Sequence, residues 1–233
     1  MSGDLVGGFT PFHARVAAAL APARERYALV LAGGYALRPY SGRICGGLGF
    51  VTPAAPLIDA AAAAVRACRA AGLDVLVGGA TARESRLTVT DPDSGRSCPL
   101  TLLREALQRP PARRDGLPVL HPDDAAGLAM RALHGRGLAR DLIDVAAVSH
   151  LYSFRELERL AGPHCDGFSP RELAGRLEFA ALMRDEEFEA YGLGEGRIGE
   201  IRRFADAWVE DIKLRRADDG DTDHDFPDLP PVD

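Results

Sequence analysis

Residues 27–52 read YALVLAGGYALRPYSGRICGGLGFVT, and their order decides the fold. Tyr27 to Ala32 is a short apolar run that predicts a buried strand. Gly33-Gly34 breaks it, and Tyr35 to Tyr40 can form a short helix. Gly49 to Thr52 then predicts a second strand. Side chains alternate along a strand, so positions 47 and 49 share one face. Both are glycine, and residues 41–56 contain no Asp or Glu.

Outward from this stretch the pattern is that of an α/β or α+β core. Residues 56–71 (PLIDAAAAAVRACRAA) predict a helix closed by Gly72. Residues 73–77 are strand-like, and 86–90 (RLTVT) alternate in the strand manner. Asp91-Pro92-Asp93-Ser94-Gly95 is a turn that folds 97–103 back as a hairpin partner. An alanine-rich helix is expected over 11–24.

The character changes after residues 109–116 (RPPARRDG), which read as a linker or loop. His121-Pro122-Asp123-Asp124 opens a helix with proline early and acids in the first turn, as the helix dipole favours. Further helices are expected at about 138–150, 154–161, 169–178, 184–190 and 195–214, with a capping start at Ser169-Pro170-Arg171-Glu172. Residues 217–233 carry seven aspartates and three prolines and predict an acidic tail without intrinsic fold. The division is therefore 1–117, an α/β domain with a mixed sheet; 118–216, a helical domain; and 217–233, the tail.

Composition narrows the function. The 233 residues are 46% hydrophobic, enough for a packed core. A net charge of −6 argues against non-specific DNA binding, which depends on phosphate neutralisation. Lys213 is the one lysine, so a catalytic lysine is nearly excluded. Cys45, Cys68, Cys98 and Cys165 form no Cys-x-x-Cys pair, which disfavours a zinc site. No secretory signal or membrane-length apolar run is visible, and a cytoplasmic protein with reduced thiols is expected.

The Gly-Gly turn, the short helix, Arg43 and the strand after it are joined in order by 87–105 (LTVTDPDSGRSCPLTLLRE), 118–133, Arg140-Asp141-Leu142-Ile143-Asp144-Val145 and Ala190-Tyr191-Gly192-Leu193. With these segments the chain to about residue 212 resembles the AbiEii/AbiGii toxin family of nucleotidyltransferases. The resemblance implies a polymerase-beta-like fold, a nucleoside triphosphate (NTP) and Mg²⁺ as cofactors, and an RNA acceptor such as tRNA. It places Gly33 and Gly34 in the phosphate-cradling turn, with Arg43 and Arg140 as further nucleotide contacts. It also places Gly47 and Gly49 where such proteins carry the Asp-x-Asp metal ligands. Thr101 stands at the third acid, and Ala129 where relatives carry a lysine.

Magnesium prefers carboxylate oxygens, and metal-assisted transfer depends on them. The chain is therefore expected to be catalytically impaired, acting by binding nucleotide, RNA or an antitoxin-like protein partner. The alternative is an active nucleotidyltransferase with rewired ligands drawn from Asp141, Asp144 or Glu105, and whether the protein is an enzyme stays open. Asp141 and Asp144 lie one helical turn apart: they are either site-lining acids or helix salt bridges to Arg136 or Arg140. The basic run of Arg109, Arg113 and Arg114 is either a nucleic-acid contact or a solvated loop. Cys45 reads as a small buried residue or a reactive thiol, and His121 as a helix start or a base.

Overall fold

The computed structural model describes residues 8–54 and 56–218. The predicted acidic tail thus lies outside the described residues, apart from its first two positions, which finish the last helix.

Thr10 caps the first helix by accepting from the His13 N–H at 3.2 Å, and Pro11 fills the first position. The expected single helix is two, α1 (Pro11–Ala19) and α2 (Ala21–Tyr27). Pro22, in the first turn of α2, starts a new helix more readily than it continues one. Ala28 ends α2 in the left-handed region at φ 48°, and β1 (Val30–Ala32) follows, wholly buried. Next come α3 (Gly33–Ser41), β2 (Leu48–Thr52), α4 (Leu57–Ala70), β3 (Asp74–Ala80), β4 (Glu84–Thr90) and β5 (Ser97–Arg104).

The predicted hairpin is β4–β5, antiparallel from Glu84↔Leu103 to Thr90↔Ser97. On one face Leu87, Val89, Cys98, Leu100 and Leu102 are buried, and α4 packs there with Ala60, Ala64 and Cys68. The expected linker contains a second hairpin. It comprises β6 (Ala112–Arg114) and β7 (Leu117–Val119), and β7 lies parallel to β1 at Leu31↔Val119. Prolines and arginines hid these strands, because their pairing partner is about ninety residues away in the chain. The result is one mixed seven-stranded sheet in the order β3-β4-β5-β2-β1-β7-β6.

The remainder is helical, as expected: α5 (Pro122–Arg136), α6 (Ala139–Ala147), α7 (Phe154–Ala161), a 3-10 turn at Gly162–His164, α8 (Pro170–Ala181), α9 (Asp185–Glu189) and α10 (Glu195–Asp218). Ser153 and Ser169 cap α7 and α8 through the Glu156 and Glu172 N–H groups. Gly127 lets α5 approach α7: a Cβ there would meet the Leu160 carbonyl and lie 2.5 Å from the His164 ring. Trp208 on α10 is fully buried against Phe154, their rings stacked at 4.9 Å, which makes it core rather than a platform for bases.

Candidate functional site

Sheet register gathers the positions that the sequence singled out. Ala32 pairs with Gly49, and Gly49 pairs with Thr101 on its other side. Gly33 follows Ala32 directly and opens α3 at φ 61°, a conformation that glycine adopts without strain. Gly33, Gly34, Gly49 and Thr101 therefore lie side by side across three adjacent strands, about 5 Å apart strand to strand.

What these positions offer is backbone and one hydroxyl. A Cβ at Gly49 would make ordinary contact with the Ala32 carbonyl oxygen at 3.5 Å. A Cβ at Gly47 would stand 2.5 Å from the Pro99 carbonyl oxygen and 3.0 Å from its ring, so the chain closes over the space a side chain would need. Among the described residues, no three His, Cys, Asp or Glu side chains converge as a metal-holding group. The donor set therefore does not fit Mg²⁺.

The acids nominated as substitutes are already engaged. Asp144 is buried on α6 and takes two hydrogen bonds from Arg43, Nε to Oδ1 at 2.6 Å and Nη2 to Oδ2 at 2.7 Å. Burial pushes the Asp144 carboxyl up while Arg43 pulls against it. For Arg43 burial disfavours the charge, but the Asp144 carboxylate outweighs it and the guanidinium is held more firmly protonated than usual. The remaining Arg43 nitrogen, Nη1, donates to the Ile44 carbonyl at 3.2 Å. Asp141, also buried, accepts from Arg136 at 2.5 and 3.1 Å and from the Leu138 N–H at 3.3 Å, which ties down the start of α6. Arg140 stands 3.7 Å from the same carboxylate and is partly exposed.

Arg43 is the hub of the region. Its guanidinium lies over Gly34 so closely that a Cβ at position 34 would collide with it. It also sits 5.6 Å from the Tyr191 ring centre, and the Ile44 N–H donates to the Tyr191 carbonyl at 2.9 Å. The segments around 33–34, 43, 140–145 and 190–193, scattered in the chain, thus converge. Ala129 is buried on α5. Cys45 is buried beside Arg43; burial pushes its thiol up against the pull of the guanidinium, which suits packing rather than nucleophilic attack.

Of the basic run, Arg109 pairs with Asp123 at 3.0 Å and Arg114 donates to the Ala36 carbonyl of α3 at 3.1 Å. His121 caps α5 by accepting from the Asp123 N–H.

A second polar cluster surrounds Glu105, the third acid nominated as a substitute, and its partners escaped the sequence reading. Glu105, at the end of β5, is bound by Arg131 of α5, with Arg83 at 3.7 Å and His164 Nδ1 at 3.9 Å. The other His164 nitrogen meets Asp124 at 3.1 Å, and Asp124 also accepts the Gln108 and Arg109 N–H groups at 2.9 and 3.0 Å. Burial pushes the Glu105 carboxyl up, but His164, Arg131 and Arg83 together hold it below its ordinary range. Glu105, Arg83, Arg104, Pro53 and Ala106 line a shallow cleft of about 320 Å³. The sequence hint was Glu105 directly after a strand, but its partners come from three other elements.

No protein-family model matches the chain, and no curated protein does. Solved structures do match its fold. JHP933 from Helicobacter pylori is 15% identical, with a TM-score of 0.51 over 90% of this chain and 96% of its own. A second H. pylori protein, named as a candidate nucleotidyltransferase, is 17% identical, with a TM-score of 0.51 over 88% and 96%. MenT4, a nucleotidyltransferase toxin of Mycobacterium tuberculosis, is 16% identical over 91% and 93%, with a TM-score of 0.49. The fold is α/β and nucleotidyltransferase-like. No described helix is long and apolar enough to cross a membrane.

Proposed function

We propose that this chain is a nucleotidyltransferase-like protein of the AbiEii toxin type that binds a nucleotide, free or at an RNA end, without efficient metal-dependent transfer. One observation carries the reading: the paired positions 49 and 101 present glycine and threonine, while Asp141, Asp144 and Glu105 are each held by arginine. Binding at the Gly33-Gly34 turn is supported by its left-handed glycine and by backbone N–H groups at the start of α3, where no side chain caps the helix. A protein partner of antitoxin type, in the cytoplasm, belongs to the same proposal.

The test is thermal unfolding with each nucleoside triphosphate, with and without Mg²⁺, beside transfer of labelled nucleotide to tRNA. A ligand at a hundred times its dissociation constant stabilises by about 2.7 kcal/mol. Stabilisation that does not require Mg²⁺, with no transfer, is the expected result. Efficient Mg²⁺-dependent transfer overturns it. If such transfer is lost in Asp141→Ala or Asp144→Ala, it belongs to a rewired catalyst.

A further inference from the structure

Building on the nucleotide-binding reading above, we propose that the ligand at the Gly33-Gly34 turn is a metal-free triphosphate, and that Arg86 supplies the counter-charge its phosphates need.

Sheet register puts Arg86 on the relevant face. Arg86 pairs with Thr101, Thr101 with Gly49, and Gly49 with Ala32, directly before the turn. Cross-paired residues project from the same side of a sheet, so Arg86 shares the face of positions 49 and 101. Its neighbours Leu87 and Val89 do not interfere: they are buried, with Leu87 and Val89 alternating between the two faces along β4. Arg86 stands two strands from Gly49, about 10 Å between backbones, a gap that a long side chain and a phosphate fill together. The space before the turn is open. A Cβ at Gly33 would meet nothing within 4 Å, and the nearest atoms to one at Gly49 are backbone.

Charge decides the form of the ligand. Carboxylates at 49 and 101 would make this face negative, and a triphosphate could approach only behind a cation. With glycine and threonine there, the balance turns positive. Arg86 is exposed and donates two hydrogen bonds of 2.9 Å to Glu84. Arg136, at the end of α5, is held protonated chiefly by Asp141, against burial; Glu84 adds to this and Arg86 opposes it, so both charges of β4 act on the helix end. Arg140 lies 3.7 Å from Asp141 and is partly exposed. Three arginines thus face two carboxylates, while the buried Arg43–Asp144 pair adds no net charge.

Of the three arginines, Arg86 is the one placed to change partner. Arg136 holds the carboxylate that ties down the start of α6. Arg86 answers instead to Glu84, a partly exposed carboxylate two residues away. Exposed ion pairs contribute little, so a phosphate can displace Glu84 at small cost. The planar guanidinium then meets two phosphate oxygens at once. Mg²⁺ works against such binding, because it occupies the same oxygens and lowers the charge of the anion.

Isothermal titration calorimetry of the full chain with ATP, in EDTA and then in excess Mg²⁺, tests this. ATP is expected to bind in EDTA and about tenfold more weakly with Mg²⁺. Arg86→Gln, its fold checked by circular dichroism, is expected to weaken metal-free binding about tenfold and to remove the Mg²⁺ effect. Arg66→Gln, on α4, is expected to change neither. Inorganic triphosphate is expected to displace ATP.

Metal-free binding that is unchanged in Arg86→Gln overturns the assignment of Arg86 and leaves the nucleotide-binding reading standing. Inorganic triphosphate that fails to displace ATP does the same. ATP that binds only with Mg²⁺, or not at all, overturns both.

Discussion

Arg43 and Asp144 are joined by two short hydrogen bonds in the protein interior although 101 residues separate them in the chain. The pair ties the loop after α3 to helix α6, and so fixes the sheet end against the helical half. It also uses the one buried guanidinium beside the Gly33-Gly34 turn for architecture.

Removing one partner leaves the other charge buried and alone. Asp144→Ala is expected to cost about 3–5 kcal/mol. Replacing both, Arg43→Met with Asp144→Leu, is expected to cost clearly less than Asp144→Ala alone. Denaturant unfolding of the two single variants and the double variant measures this; a double variant as unstable as the sum of the singles contradicts it.

The glycines at 47 and 49 are expected to differ in tolerance. Gly49→Asp enters ordinary contact space, whereas Gly47→Asp drives its Cβ onto the Pro99 carbonyl. The first is expected to be mild, and the second to lose about 1–3 kcal/mol. Restoring Asp at 47, 49 and 101 together is then expected to need a shift of residues 47–48 before Mg²⁺ can bind. Melting temperatures with and without Mg²⁺ report both effects.

Acid stability is expected to depend on Glu105. Its folded carboxyl titrates below the unfolded value, because the His164 ring and the Arg131 and Arg83 guanidiniums together outweigh burial. Such a group stabilises fully above its unfolded pKa, and the contribution is lost as pH falls through the lower, folded value. Glu105→Gln should therefore flatten the loss of stability below about pH 4.5. Chemical denaturation at stepped pH tests this, and an unchanged acid slope would rule it out.

Gly127→Ala is expected to destabilise by about 1–3 kcal/mol, because the added methyl meets the Leu160 carbonyl and the His164 ring. Gly135→Ala, on the same helix with open space around it, is the control and is expected to be neutral or slightly stabilising. Thermal unfolding of the two variants compares them.

Much of the fold was legible because its signals are local. The turn at 91–95 declares the β4–β5 hairpin, Ser169 declares the start of α8, and Gly33-Gly34 ends β1. Each acts over a few residues, so backbone preference and capping chemistry suffice to read it. The β6–β7 hairpin was not legible: its prolines and arginines look like a loop, and its strand character comes from pairing with β1. The break at Leu20 was missed because alanine-rich sequence favours helix on both sides of it.

The amino-acid sequence by itself determined the order of the locally signalled elements, β6–β7 and the α1/α2 break apart, and it left no carboxylate between residues 41 and 56. Only the tertiary structure decided where the remaining charges went: Arg43 to Asp144, Arg136 to Asp141 and Arg131 to Glu105. The reason is desolvation. A buried charge must find its counter-charge wherever packing brings one, and that partner is set by which helix covers which end of the sheet, not by spacing along the chain.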